Sequence, residues 1–272
     1  SDGVVHMISA HDGGVKEIQR GWRTYILIIC SNSTIVYLIW IHQNLHEPMY
    51  IFIAALLINA VLFSTVIYPK LFIDFLSENQ IISYSACLFQ YFMFYSLGGS
   101  EFLLLAAMAY DRYVSICKPL QYPTIMRKTT VRMFLVLAWL VPACQVAVPT
   151  VLNADKTLCN FTLKGIICNS TFYKLHCVAS IVLNIYGLVV FANIVIFPTC
   201  LPHLLVLINF SCSSAYDVLL LRMETDFPKT VRFIMTLQMI LYHPLFNPII
   251  YGLKMKEIYK HLKRLFCPGK II

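Results

Sequence analysis

Seven stretches of the chain are almost continuously apolar: Tyr25–Ile41, Tyr50–Phe75, Ala86–Ala109, Met133–Leu152, Val178–Phe197, Leu201–Leu221 and Phe233–Leu253. Each is close to the ~20 residues a helix needs to cross the hydrocarbon of a bilayer. None alternates like a strand of a membrane barrel, and a helix satisfies its own backbone polar groups where water is absent. The pattern predicts an all-α membrane protein: one domain, a seven-transmembrane helix bundle over residues 24–253, preceded by an outer segment 1–23 and followed by an inner tail 254–272. In and next to that tail, Leu253, Met255, Ile258, Tyr259, Leu262, Leu265 and Phe266 share one helical face with lysines opposite. This predicts a short amphipathic C-terminal helix lying in the interface.

Composition agrees. Of 272 residues, 59% are hydrophobic and 12% charged, against about 25% charged in soluble domains. The bilayer has to be part of the solvent. The net charge of +8 could suggest nucleic acid, but the basic residues sit at the ends of apolar runs and report topology instead. Arg112, Lys118, Arg127, Lys128 and Arg132 follow the third run, and Lys254, Lys256, Lys260, Lys263, Arg264 and Lys270 fill the tail. Both segments are expected in the cytoplasm, which places the N-terminus outside. Lys16, Arg20 and Arg23 oppose that assignment without reversing it. Residues 1–23 hold no apolar signal-peptide core, so the first span is expected to direct insertion.

Of ten cysteines, Cys30, Cys117, Cys144, Cys200 and Cys212 lie in or beside apolar runs and read as small core residues. Cys267 sits in the basic tail, where palmitoylation competes evenly with an unmodified thiol. Cys87, Cys159, Cys168 and Cys177 fall outside the membrane; four cysteines allow three pairings, and spacing does not choose among them. No Cys/His spacing suggests zinc, and no catalytic constellation or phosphate loop is visible, so neither metal, cofactor nor enzymatic activity is expected. Between the fifth and sixth runs only Pro198-Thr199-Cys200-Leu201-Pro202 remains to reverse the chain.

Met108-Ala109-Tyr110-Asp111-Arg112-Tyr113-Val114-Ser115-Ile116-Cys117-Lys118-Pro119-Leu120-Gln121-Tyr122 is long and specific. It resembles the signature at the inner end of the third helix in olfactory (odorant) receptors, a family of rhodopsin-like G-protein-coupled receptors. Leu45-His46-Glu47-Pro48-Met49-Tyr50, Pro69-Lys70-Leu71, Thr199-Cys200-Leu201-Pro202-His203 and Pro244-Leu245-Phe246-Asn247-Pro248-Ile249-Ile250-Tyr251 resemble the same family's second, sixth and seventh helices. The likeness covers most of the chain from about Asn32 onward. Asn59, Phe63-Ser64-Thr65 and Tyr68-Pro69-Lys70 look most like fish odorant receptors.

The resemblance implies roles for particular residues. Asp111, Arg112 and Tyr113 form the inner switch, with Arg112 paired to Asp111 at rest and released to a G protein on activation; plain interfacial anchoring is the simpler alternative. Asn247 and Pro248 kink the seventh helix, and Tyr251 swings with it. Asn32, Asn59 and Glu101 make a polar core. An acid at membrane depth costs roughly 2.5 kcal/mol or more, which marks Glu101 as functional. Ala60 stands where the family usually has Asp. Glu101 is therefore expected to be partly protonated, or bonded to Asn59 and Asn247, with sodium binding weak or lost. The family pairs Cys87 with Cys168 and Cys159 with Cys177. Two glycosylation sequons share that loop, Asn160 being favoured over Asn169, and a third at Asn32 lies within the first span. Phe94, Tyr95, Gly98 and Gly99 on the third helix and Ser211, Ser214 and Ala215 on the sixth are the implied ligand contacts. Arg222 could meet a ligand carboxylate, though interfacial anchoring is twice as common. For each of the others ordinary helix packing is an equal alternative.

The implied function is a plasma-membrane receptor that binds a small-molecule odorant within the bundle and activates a heterotrimeric G protein, with the lipid bilayer as solvent and no nucleic-acid partner. The chain departs from the family at Ile196-Phe197-Pro198-Thr199, where a longer fifth helix and a basic inner loop are usual. A signalling-defective receptor relative, or a pseudogene product, is the alternative. A transporter or channel would need repeats or several membrane-buried charges, and only Glu101 and Asp217 stand out.

Overall fold

The computed structural model describes residues 3–7, 15–77, 80–163, 167–177, 185–186, 189, 244–252 and 255–266. The junction at 198–202, Ser211, Ser214, Ala215, Asp217, Arg222, Cys200, Cys212 and Cys267 lie outside the described residues. Four helices are long and apolar enough to cross a membrane, over Gly21–Ile41, Pro48–Asp74, Tyr84–Cys117 and Lys128–Ala154. They belong to α1 (Val15–Ile41), α2 (Pro48–Leu76), α3 (Tyr84–Cys117) and α5 (Lys128–Ala154), with a single turn α4 (Tyr122–Ile125) before the last. Residues 244–252 are helical, and α6 (Lys256–Phe266) follows them. We call the end of the bundle that carries the disulfides outer and the end that carries Asp111 inner.

Local sequence sets the helix ends. Pro48 occupies the first turn of α2, where a missing N–H costs nothing. Ser83 caps α3 by accepting from the Ala86 N–H at 3.3 Å. Within the membrane Ser31 and Thr34 of α1 donate back to the carbonyls of Ile28 and Cys30, so their hydroxyls add no unmet donor to the hydrocarbon. α3 is the central element. Of its most apolar stretch 67% is buried, against 22% for α5 and 28% for α1. Its inner half packs with Phe52, Ile53 and Leu56 of α2, and its outer half with Phe63, Ile67 and Tyr68.

The first helix departs from the hydropathy pattern. It starts at Val15, not near Tyr25. Its extra turns are held by aromatic packing: Trp22 stacks on Phe72 of α2 with ring centroids 4.1 Å apart, and Tyr25 stacks on Tyr68 at 5.2 Å. A Cβ on Gly21 would come within 2.9 Å of the Phe72 ring, so a larger residue there would have to push that ring aside. Cys30, Cys117 and Cys144 are exposed on the bundle surface, not core as expected. On the flank of a membrane helix, apolar character reports lipid as readily as protein.

A small sheet roofs the outer end, an addition to the all-α expectation. β1 (Val4–Met7) runs between β2 (Ile81–Ser83), antiparallel to it, and β3 (Thr162–Leu163), parallel to it. Val5 and Met7 point inward onto Tyr84, Leu88, Phe172 and Leu175. Beneath it, disulfides join Cys87 to Cys168 and Cys159 to Cys177. The first ties α3 to the long outer loop across 81 residues and the second closes 18. Loop-closure entropy rises with length. Serine at both Cys87 and Cys168 is therefore expected to destabilise the solubilised protein by about 2–5 kcal/mol, and more than serine at Cys159 and Cys177. Thermal melts of the two double variants check the order.

Candidate functional site

The polar residues of the bundle fall into three groups along α3. At the inner end Asp111 is fully buried and Arg112 half-buried. Arg112 donates to Asp111 Oδ2 from Nη2 at 2.5 Å and from Nε at 3.1 Å, while Tyr122 of α4 donates its hydroxyl to Oδ1 at 2.7 Å. Both carboxylate oxygens are thus engaged, one by a charged partner and one by a neutral one, which suits a buried carboxylate. Burial first, then the Asp111 carboxylate, pushes the Tyr122 phenol well above its ordinary range, so it stays a donor. Tyr113 is exposed beside them, as are Ile116 and Leu120.

Asn247, at mid-depth, donates from Nδ2 to Glu101 Oε1 at 3.2 Å, joining the seventh-helix segment to α3. Pro248 follows it inside the helical stretch 244–252, and Tyr251 is buried one turn on. Asn32 of α1 donates to its own Ile28 carbonyl at 2.8 Å and to the Pro244 carbonyl at 2.9 Å. Asn59 does not bond Glu101. It donates to the Leu97 carbonyl at 3.0 Å and accepts from the Trp139 indole at 3.2 Å, bridging α2, α3 and α5. The expectation that it partners the acid is corrected by geometry: Asn59 faces the α3–α5 side. Trp139 was not singled out from the sequence. A lone tryptophan in an apolar run carries no sign of what its N–H meets.

The outer end is aromatic. Phe94 is a core residue packed on Phe63 of α2 at 5.2 Å, so its ring is directed at α2. Tyr95 lies half-buried against Tyr91 and Phe94, and Gly98 and Gly99 are buried one turn further in. Tyr84 donates to the Asn153 carbonyl at 2.7 Å and stands 2.8 Å from His176 Nε2. Since the one phenolic proton goes to the carbonyl, His176 Nε2 is the donor of that pair. Burial, and then Lys156, lower the His176 pKa, keeping the ring neutral. In the same loop Asn160 is exposed and its Oδ1 accepts from the Thr162 N–H, whereas Asn169 is buried. Asn32 is fully buried within α1.

A family model described as olfactory receptor matches residues 23–197 and 194–269. The chain belongs to the olfactory receptor family. It is 30% identical to human olfactory receptor 11H2 over 91% of its own length and 85% of the relative's. It is 32% identical to human olfactory receptor 11A1, covering 89% and 86% of the two chains, and 30% identical to rat olfactory receptor 1500, covering 91% and 88%. This olfactory receptor is therefore a multi-pass helical membrane protein with the seven-helix architecture and is not an enzyme.

Trp139→Phe leaves the buried Asn59 carbonyl oxygen without a donor and is expected to cost about 1–3 kcal/mol. Adding Asn59→Leu removes the orphaned amide and should recover part of that loss, which thermal melts of the single and double variants resolve. Asn160→Gln should abolish a glycosidase-sensitive gel shift that Asn169→Gln leaves in place.

Proposed function

We propose that this receptor takes a small-molecule odorant into the bundle from the outer side and activates a heterotrimeric G protein of the cAMP-raising type at its inner face. The chain then resides in the plasma membrane with its N-terminus outside. The observation that carries the reading is the closed cluster of Asp111, Arg112 and Tyr122 at the inner end of α3 in a chain of this family. A buried ion pair is weak evidence for stability, because desolvation offsets much of the attraction. Its use as a two-state lock is better supported. Arg112 is already half-exposed and can exchange Asp111 for a partner's acceptors.

On the outer side Tyr95, Gly98 and Gly99 are the α3 contacts for the odorant, with Phe94 forming the packed wall behind them. The proposed sixth-helix contacts are Ser211, Ser214 and Ala215, with Arg222 at the rim. A mostly apolar lining with a few hydroxyls suits small, sparingly polar ligands. Glu101, held by Asn247, links this region to the seventh helix, on which Tyr251 lies one turn further on. With Ala60 in place of a second acid, the reading includes weak sodium control. Replacing sodium by choline should leave ligand potency unchanged.

A second reading is favoured by one observation. The two stretches of the family match meet at 194–197, where the fifth and sixth runs abut. A shortened inner junction there gives a receptor that folds without coupling. The test is cAMP production on an odorant panel by this chain and by the same chain with a family-typical inner loop inserted after Pro198, with surface staining as control. Equal responses silenced by Arg112→Ala support the full receptor. A response only from the lengthened chain selects the defective one. Tyr122→Phe, which removes one restraint on Asp111, is expected to raise ligand-free cAMP above the parent level.

A further inference from the structure

The inner turn between α1 and α2 is joined to α6 through two imidazoles. His42, just past the end of α1, and His261 of α6 have ring centroids 3.8 Å apart, tilted by 48°. Hydrogen bonding fixes which nitrogens carry protons. His42 Nδ1 lies 3.0 Å from the Leu38 carbonyl, which can only accept, so Nδ1 donates. The Asn44 amide nitrogen points at two acceptors: Glu257 Oε2 at 3.5 Å and His261 Nε2 at 3.4 Å. The carboxylate can only accept, so the Asn44 amide gives one hydrogen to it and the other to a bare His261 Nε2. The joint therefore requires a neutral His261.

Protonation of His261 reverses the Asn44 contact. A proton on His261 Nε2 faces the Asn44 amide hydrogens, and a flip of the amide would turn its oxygen toward the Glu257 carboxylate. Glu257, four residues earlier on α6, becomes the better partner for the imidazolium. His261 then exchanges a partner on the α1–α2 turn for one on its own helix. We propose that this joint is a proton-sensitive latch, in which protonation of His261 frees α6 from the turn between α1 and α2.

Among the described residues, few groups face His261. His42 approaches from the α1 side and Asn44, uncharged, from the turn; Glu257, Lys260 and Arg264 lie on α6 itself. The His46 ring is engaged elsewhere, at the Trp40 carbonyl. Burial first, then His42, Arg264 and Lys260, hold the His261 imidazole below its ordinary range against the opposing pull of Glu257. A histidine whose pKa is lowered by docking stabilises the docked form above the free value and loses that contribution as the pH falls below about 6.5. The latch is closed at neutral pH. α6 also packs closely on the seventh-helix segment: a Cβ on Gly252, directly after Tyr251, would lie 3.3 Å from the Leu262 side chain. The inference rests on the packing of α6 and not on odorant binding or G-protein coupling, so its test reads neither.

The experiment is hydrogen–deuterium exchange of the full chain in phosphatidylcholine nanodiscs at about pH 7.5 and about pH 5.5, corrected for intrinsic exchange, followed over residues 257–262. Protection in the parent chain is expected to fall severalfold on acidification. His261→Gln keeps an acceptor for Asn44 and cannot titrate, so its protection should not change with pH. Asn44→Asp offers the imidazolium an acceptor and should reverse the sign, with protection rising as pH falls. The inference is overturned if the parent shows no fall, if His261→Gln shows the same fall, or if Asn44→Asp falls with the parent.

Discussion

Hydrocarbon offers no hydrogen bonds, and a polar side chain carried into it has to find its partner within the protein. In this receptor that requirement sets the mutual register of the helices. Asn59 can reach the Leu97 carbonyl and the Trp139 indole only if α2, α3 and α5 are aligned in depth and rotation. Asn32 aligns α1 with the seventh-helix segment through the Pro244 carbonyl, and Asn247 aligns that segment with α3 through Glu101. Apolar packing alone would tolerate sliding, since a lipid tail is as good a neighbour as a leucine. Three asparagines therefore specify an arrangement that the many leucines and isoleucines then fill.

The two ends of the bundle are held by different chemistry. Outside, two disulfides, three short strands and the rings of Tyr84, Phe172 and Tyr173 make a covalent and aromatic closure. Inside, an ion pair, a phenol and two imidazoles hold the helices together. Disulfides and ring packing do not depend on charge, whereas the inner contacts are hydrogen bonds and an ion pair that other donors and acceptors can replace. Under the proposed function, the stiff end is the one that admits ligand and the exchangeable end is the one that meets a G protein.

Much of this was legible in the chain. Length and continuity of the apolar runs locate α1, α2, α3 and α5, because a bilayer imposes both. The inner signature around Asp111 and the positions of Asn32, Asn59, Glu101 and Asn247 were visible as polar residues where polarity is expensive. What hydropathy misses is whatever packing decides after insertion. The turns of α1 before Tyr25 are too polar to read as membrane, yet Trp22 finds a ring to stack on. Sequence spacing names no partner for the Trp139 indole or the Tyr122 hydroxyl, which meet Asn59 and Asp111 in the folded chain. Phe94 fits a pocket and a core equally well by type, and only its contact with Phe63 shows which way it turns.

The roof strand has a consequence for biosynthesis. β1 is synthesised before both of its partners, yet it pairs with Ser83 on one side and Leu163 on the other. At about 5–20 residues per second, the last of these partners emerges on the order of ten to thirty seconds after it. Until then Val5 and Met7 can meet Ile82, Tyr84 and Leu88 but not Leu163, Phe172 or Leu175, which complete their cover. The closing of the roof is therefore a late event, dependent on insertion of α5 and on oxidation of the loop that brings Thr162 and Leu163 into reach. A quality-control factor that recognises short exposed apolar strands would have a long window in which to act on this receptor, and that window would close as β1 takes its place between β2 and β3.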